Sequence, residues 1–95
     1  MAVVRHLILI AYDVSDNKDR GRVADLLERH MTRVQGSVFE GWMTVRAGQR
    51  LEADAAALID ASDSLRYYVM PRGGIDRCQA WGFPPAPIAD GILII

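Results

Sequence analysis

Six consecutive apolar or aromatic residues, Leu7-Ile8-Leu9-Ile10-Ala11-Tyr12, stop abruptly at Asp13. A short run with branched members is the pattern of a central strand covered on both faces. It falls far below the ~20 apolar residues that cross a bilayer. Asp13, Asp16 and Asp19 follow it with no small-residue cleavage site, so it does not read as a secretion signal. The period changes immediately afterwards. Ser15-Asp16-Asn17 offers helix-capping side chains. From Lys18, the apolar Val23, Leu26, Leu27 and Met31 recur at three- and four-residue spacing. Arg22, Asp25, Glu28 and Arg29 occupy the opposite face, which makes an amphipathic helix. Gly21 stands in its first turns and costs about 1 kcal/mol relative to Ala. A buried strand feeding straight into such a helix confines the chain to folds in which helices cover a sheet.

The remaining pattern narrows the class. Thr32 to Gly41 reads as extended, with Val34, Val38 and Phe39 as strand formers, and Gly36 marks a break or bulge. Trp42 to Val45 continues the extended reading. Arg50 to Ala61 returns to helical spacing through Leu51, Ala55, Leu58 and Ile59. Ser64 to Met70 is a strand that ends at Pro71 and the Gly73-Gly74 turn, and a short strand is expected near Arg77 to Trp81. This is the βαββαβ order of an α+β, ferredoxin-like sandwich, with two helices on one face of an antiparallel sheet. Residues 1–81 are expected to form that domain. Residues 82–95 form a proline-rich extension followed by the apolar Gly91-Ile-Leu-Ile-Ile95. Left bare, such an end is an aggregating edge, so it is expected either to dock on its own sheet or, the favoured reading, to add a strand to a second protomer of a homodimer.

Composition excludes more than it selects. With 95 residues the chain is one small domain, and at 51% hydrophobic residues it has enough apolar side chains for a core. The net charge of −1 does not advertise a polyanion binder. Of the 11 cationic residues, however, only Lys18 is a lysine. Arginine is the better fork for phosphate, although a GC-rich genome raises arginine everywhere. Cys78 stands alone, which rules out an internal disulfide or thiol cluster and fits a reducing cytoplasm. There is no phosphate loop, dinucleotide glycine fingerprint, zinc spacing or Cys–His pairing. The expectation is a soluble, cytoplasmic protein with no membrane partner.

Asp13 is the best single candidate for chemistry, because it ends a buried strand where side chains emerge at a sheet edge. A carboxylate there suits Mg²⁺ or another hard divalent cation, but for one aspartate taken alone a turn or capping role is the better reading. Two copies related by a dimer axis would make a better site, polarising a phosphoryl oxygen or activating water. Arg20, Arg22 and Arg33 flank this edge and suit phosphate, or else form a solvated face among Asp16, Asp19 and Asp25. Tyr12 and Phe39 are placed to stack on a base, or to pack in the core. His6 and His30 lack ligand-like spacing.

Tyr12-Asp13-Val-Ser15-Asp16, the helix Lys18 to His30, and Arg33-Val34-Gln35-x-Ser37-Val38-Phe39-Glu40-Gly41 occur in this order at characteristic spacing. Together they resemble the second of the two universal CRISPR adaptation proteins, the Cas2 family. Leu58-Ile59-Asp60 before Asp63-Ser64-Leu65-Arg66-Tyr67 extends the likeness. The resemblance implies a homodimer of ferredoxin-like protomers acting in spacer acquisition. It would be a metal-dependent endoribonuclease or DNase and the scaffold that the adaptation integrase clamps on duplex DNA. Asp13 falls on the family's catalytic, metal-binding aspartate; Tyr12, Arg20, Arg22, Arg33 and Phe39 fall on its nucleic-acid-binding positions. Duplex DNA and single-stranded RNA are the implied substrates. Gly21, Gly36 and Trp42 to Gly48 depart from the family pattern. The alternatives are a toxin-type ribonuclease of the same fold, a scaffold without catalysis, and a ligand-sensing regulator.

Overall fold

The computed structural model describes residues 3–82. The proline-rich extension and the apolar C-terminal strand expected beyond them lie outside the described residues. The elements are β1 (His6–Asp13), α1 (Asn17–Glu28), β2 (Thr32–Gln35), β3 (Val38–Met43), α2 (Val45–Ala56) and β4 (Ser64–Val69), then a 3₁₀ segment, Arg72–Arg77. The four strands form one sheet in the order β2-β3-β1-β4, antiparallel at every pairing. This is the ferredoxin-like α+β sandwich expected from the sequence. The ambiguous stretch around Gly36 forms two strands rather than one. Pairing of β2 with β3 shifts register between Arg33 and Gln35, where a bulge tightens the turn.

Each helix starts where a short polar side chain satisfies a free backbone amide. The Asp19 amide donates to Asp16 at 2.8 Å, and the Ala47 amide donates to the Thr44 hydroxyl at 3.1 Å. The second cap corrects the sequence reading. Helix α2 starts at Val45 and ends at Ala56, about one and a half turns ahead of the expected Arg50 to Ala61. Its buried face is Gly48, Leu51 and Ala55, so the apolar stripe does continue upstream. It does so through a glycine, which carries no hydropathy signal. Leu58 and Ile59 still pack on the core, from the turn after the helix. The short strand expected at Arg77 to Trp81 does not form either. Arg72–Arg77 closes a 3₁₀ turn, and Trp81 is 75% exposed.

The core lies between the sheet and the helices and centres on Ile8, Ile10, Val23, Leu27 and Phe39, all fully buried. Gly48 brings the α2 backbone against the sheet. A Cβ at that position would overlap Ile8 and lie 2.7 Å from the Tyr67 hydroxyl. Residues directly opposite in antiparallel strands share a face. The register therefore puts Leu7, Leu9, Ala11 and Asp13 on the helix-free face. They are joined there by Val38, Glu40 and Trp42 of β3 and by Ser64, Arg66 and Tyr68 of β4. Leu9 and Ala11 are only half-buried, so burial of β1 on both faces is partial. Leu7 is buried, as is Ile75 outside the main cluster. The Arg72 guanidinium donates to the Arg5 carbonyl at 2.9 Å and returns the 3₁₀ segment to the start of β1.

Candidate functional site at the end of the central strand

Asp13 is the last residue of β1 and lies opposite Ser64 in β4. Its side chain is exposed on the helix-free face, and among the described residues it has no hydrogen-bond or ion-pair partner. The loop from Val14 to Asp16, which joins β1 to α1, is braced from two sides. Val14 is buried, and the Arg20 guanidinium donates to the Val14 carbonyl at 3.0 Å and to Asn17 Oδ1. The Asp63 carboxylate accepts the Ser15 amide at 3.1 Å through one oxygen and the Asp60 amide at 2.9 Å through the other. Asp63 thus ties the β1–α1 loop to the turn before β4, 48 positions along the chain. In the sequence, Asp63 stands out only as part of a pattern. Its one local signal is that of an acidic residue closing a turn onto the amide three positions back, a common aspartate turn.

The other candidates divide between two sides of the sheet. Tyr12 and Phe39 face the helices, 5% and 0% exposed, with ring centroids 6.1 Å apart and nearly parallel. The Arg33 guanidinium lies 5.1 Å over the Phe39 ring and pairs with Glu28 at 3.0 Å. The Tyr12 hydroxyl donates to the Gly36 carbonyl at 3.4 Å. Burial pushes that phenol up, with the Arg33 charge opposing. Arg22 is an exposed residue of α1 that pairs loosely with Asp19 at 3.7 Å. Asp13 and Arg20 therefore flank one loop, Asp13 at the end of β1 and Arg20 in the first turn of α1, whereas Tyr12, Phe39 and Arg33 form a stack on the opposite face from Asp13. In this chain Phe39 has no surface on which a base could stack.

Glu40 lies on the helix-free face in the rung of Leu9 and Tyr68, and partial burial pushes its carboxyl above its ordinary value. Among the described residues no three acidic, histidine or cysteine side chains converge on a metal-sized space. What Asp13 offers is one free hard-oxygen donor per chain. That donor set fits a hydrated magnesium ion, which keeps several waters and uses one or two carboxylates. It does not fit a fully protein-ligated cation. A cleft of about 700 Å³ lined by His30, Trp42, Arg46, Arg50 and Asp54 lies by the start of α2, at the other end of β1 from Asp13.

A ferredoxin-like sandwich with one unpaired carboxylate at the end of its central strand defines a small α+β protein whose open sheet face carries the candidate site. The family model described as CRISPR associated protein Cas2 matches residues 6–77. The chain belongs to that family. It is 34% identical to the CRISPR-associated endoribonuclease Cas2 3 of Synechocystis, over 94% of this chain and 98% of that protein. It is 38% identical to the CRISPR-associated endonuclease Cas2 2 of Thermus thermophilus, over 87% of this chain and 89% of the relative. The crystal structure of Streptococcus pyogenes Cas2 at pH 6.5 superposes with a TM-score of 0.66 at 29% identity, covering 80% of this chain and 99% of the other. A chain of a partial Cas6-RT-Cas1–Cas2 complex superposes with a TM-score of 0.68 at 28% identity, covering 88% and 96%. No described helix is long and apolar enough to cross a membrane.

Proposed function

We propose that the chain is a homodimeric subunit of CRISPR adaptation that cleaves phosphodiesters, RNA in the first place, in a reaction that depends on Mg²⁺ or a similar cation. The observation that carries this reading is Asp13, an unpaired, exposed carboxylate at the end of β1, next to a loop held in place by Arg20 and Asp63. Its near-full-length relatives named endoribonuclease and endonuclease point the same way. A second copy would supply the second carboxylate. The half-buried Leu9 and Ala11 and the half-exposed Tyr68, all on the helix-free face, favour such a partner. When bound, a divalent cation neutralises phosphate charge and makes water more acidic. Asp13 would hold it by one oxygen at the sheet edge, and the braced loop that follows fixes the backbone from which that side chain projects. Arg22, with only a loose partner, would meet the phosphate backbone electrostatically.

Asp13→Ala tests this directly. Cleavage of single-stranded RNA by highly purified protein should be lost while the far-UV dichroism stays unchanged; full activity in the variant would refute the metal-nuclease reading. A second reading is favoured by the likeness to a chain of a Cas1–Cas2 complex. In it the dimer is a scaffold on duplex DNA for the adaptation integrase, and catalysis is dispensable. Spacer acquisition that survives Asp13→Ala while cleavage disappears would select the scaffold role.

A further inference from the structure

Two arginines lie within strands, and the sheet separates them. Arg33 is opposite Phe39 and lies over that ring on the helix side. Arg66 is opposite Ala11, in the same pairing that sets Ser64 against Asp13. Arg66 therefore shares the helix-free face with Asp13, one rung away on the neighbouring strand. Among the described strand residues it is the one permanent cation on that face. Diagonal neighbours of this kind have Cα atoms about 7–8 Å apart, within reach of a long side chain. In the single chain Arg66 is exposed, and among the described residues it makes neither an ion pair nor a side-chain hydrogen bond. The arginines singled out from the sequence are otherwise engaged: Arg20 on loop carbonyls, Arg22 near Asp19, Arg33 on Phe39 and Glu28.

We propose that Arg66 is a further catalytic residue, whose guanidinium grips the non-bridging oxygens of the phosphodiester that is cut beside Asp13. The proposal rests on the reading of Asp13 above. The carboxylate and the guanidinium stand one rung apart on one face and are not paired with each other, so both are open to a phosphodiester laid between them. The planar fork of arginine matches two phosphoryl oxygens at once. In the reaction a water oxygen bonds to phosphorus as the bond from phosphorus to the leaving oxygen breaks. The water gives up a proton to solvent, and the leaving oxygen takes one back. Arg66 keeps its own protons throughout and stabilises the charge that grows on the equatorial oxygens.

The test uses the full chain with Mg²⁺ and a fluorescent single-stranded RNA, comparing Arg66→Ala, Arg66→Lys and Asp13→Ala. Arg66→Ala should lower kcat about 100-fold, the usual loss for one donor to a transition-state oxygen, with a much smaller change in KM. Added guanidinium ion should restore part of that rate, and Arg66→Lys should recover less than the parent because its point charge lacks the fork. In EDTA, which withholds the cation and so stops cleavage, binding to the same RNA should lose about 0.7 from the slope of log affinity against log salt in Arg66→Ala. Parental kcat in Arg66→Ala, with Asp13→Ala inactive, overturns the assignment of Arg66 and leaves Asp13 standing. So does an unchanged salt slope, or a loss of rate that guanidinium fails to reverse. Full cleavage by Asp13→Ala removes both readings together.

Discussion

Gly48 and Gly21 provide a paired experiment in which one substitution should act with opposite signs in two helices of one protein. Replacing a helical glycine by alanine stabilises by about 1 kcal/mol when nothing else changes. Around Gly21 nothing lies within 4 Å of an added Cβ, so Gly21→Ala should realise that gain almost in full. At Gly48 the added methyl would overlap Ile8 and sit 2.7 Å from the Tyr67 hydroxyl. Ile8 is fully buried and has no open space to turn into. Tyr67 donates to the Val45 carbonyl at 3.5 Å, a contact the methyl would push aside. Overpacking of this kind costs about 1–3 kcal/mol, and the enclosed position of Ile8 puts Gly48 in the upper part of that range. After the gain in helix propensity, the net loss should be roughly 1–2 kcal/mol. For a chain of this size each kcal/mol moves Tm by about 4–8 °C. Thermal melts of parent, Gly21→Ala and Gly48→Ala at one protein concentration measure both shifts, with concentration held constant because association raises Tm. If Gly48→Ala melts at or above the parent, α2 does not approach the sheet as described, and its earlier start loses its explanation.

Asp63→Ala removes the acceptor for two partly exposed amides and should cost about 1–2 kcal/mol; Asp63→Asn, which keeps one acceptor, should cost about half as much. Urea titration separates them, and equal stability of all three proteins would mean that Asp63 does not brace the loop. Glu40 gives a pH dependence. Its folded pKa lies above its unfolded value because burial disfavours the carboxylate, so the folded state holds its proton to higher pH. Stability from this group is therefore full below the ordinary glutamate value and falls as pH rises through the raised one. Glu40→Gln should flatten that fall and make the protein more stable than the parent at neutral pH. Melts from pH 4 to 7 test it, and parallel curves would remove Glu40 as the cause.

Much of this chain was legible because its signals are local. The apolar run ending at Asp13, the cap at Asp16 and the three- and four-residue spacing of α1 depend on nothing distant, and all appear where the sequence puts them. The order of strands and helices also followed, since short connections leave few ways to cover one sheet. The register of α2 was hidden because its key contact is made by the absence of a side chain: Gly48 is defined by Ile8 and Tyr67, both far from it along the chain. Asp63 was hidden because its partner amide, Ser15, is remote in sequence and adjacent only once β4 pairs with β1. Candidate residues could be named in advance, but not sorted. Alternation along a strand assigns Tyr12 and Asp13 to opposite faces whatever the fold. Which face the helices cover, and which leaves Asp13 beside Arg66, depends on how four strands pair. Periodicity and capping act within a few residues, so the fold class and the carboxylate at the strand end are written in the order of side chains. The company that carboxylate keeps is not, because neighbours across a sheet are set by long-range register.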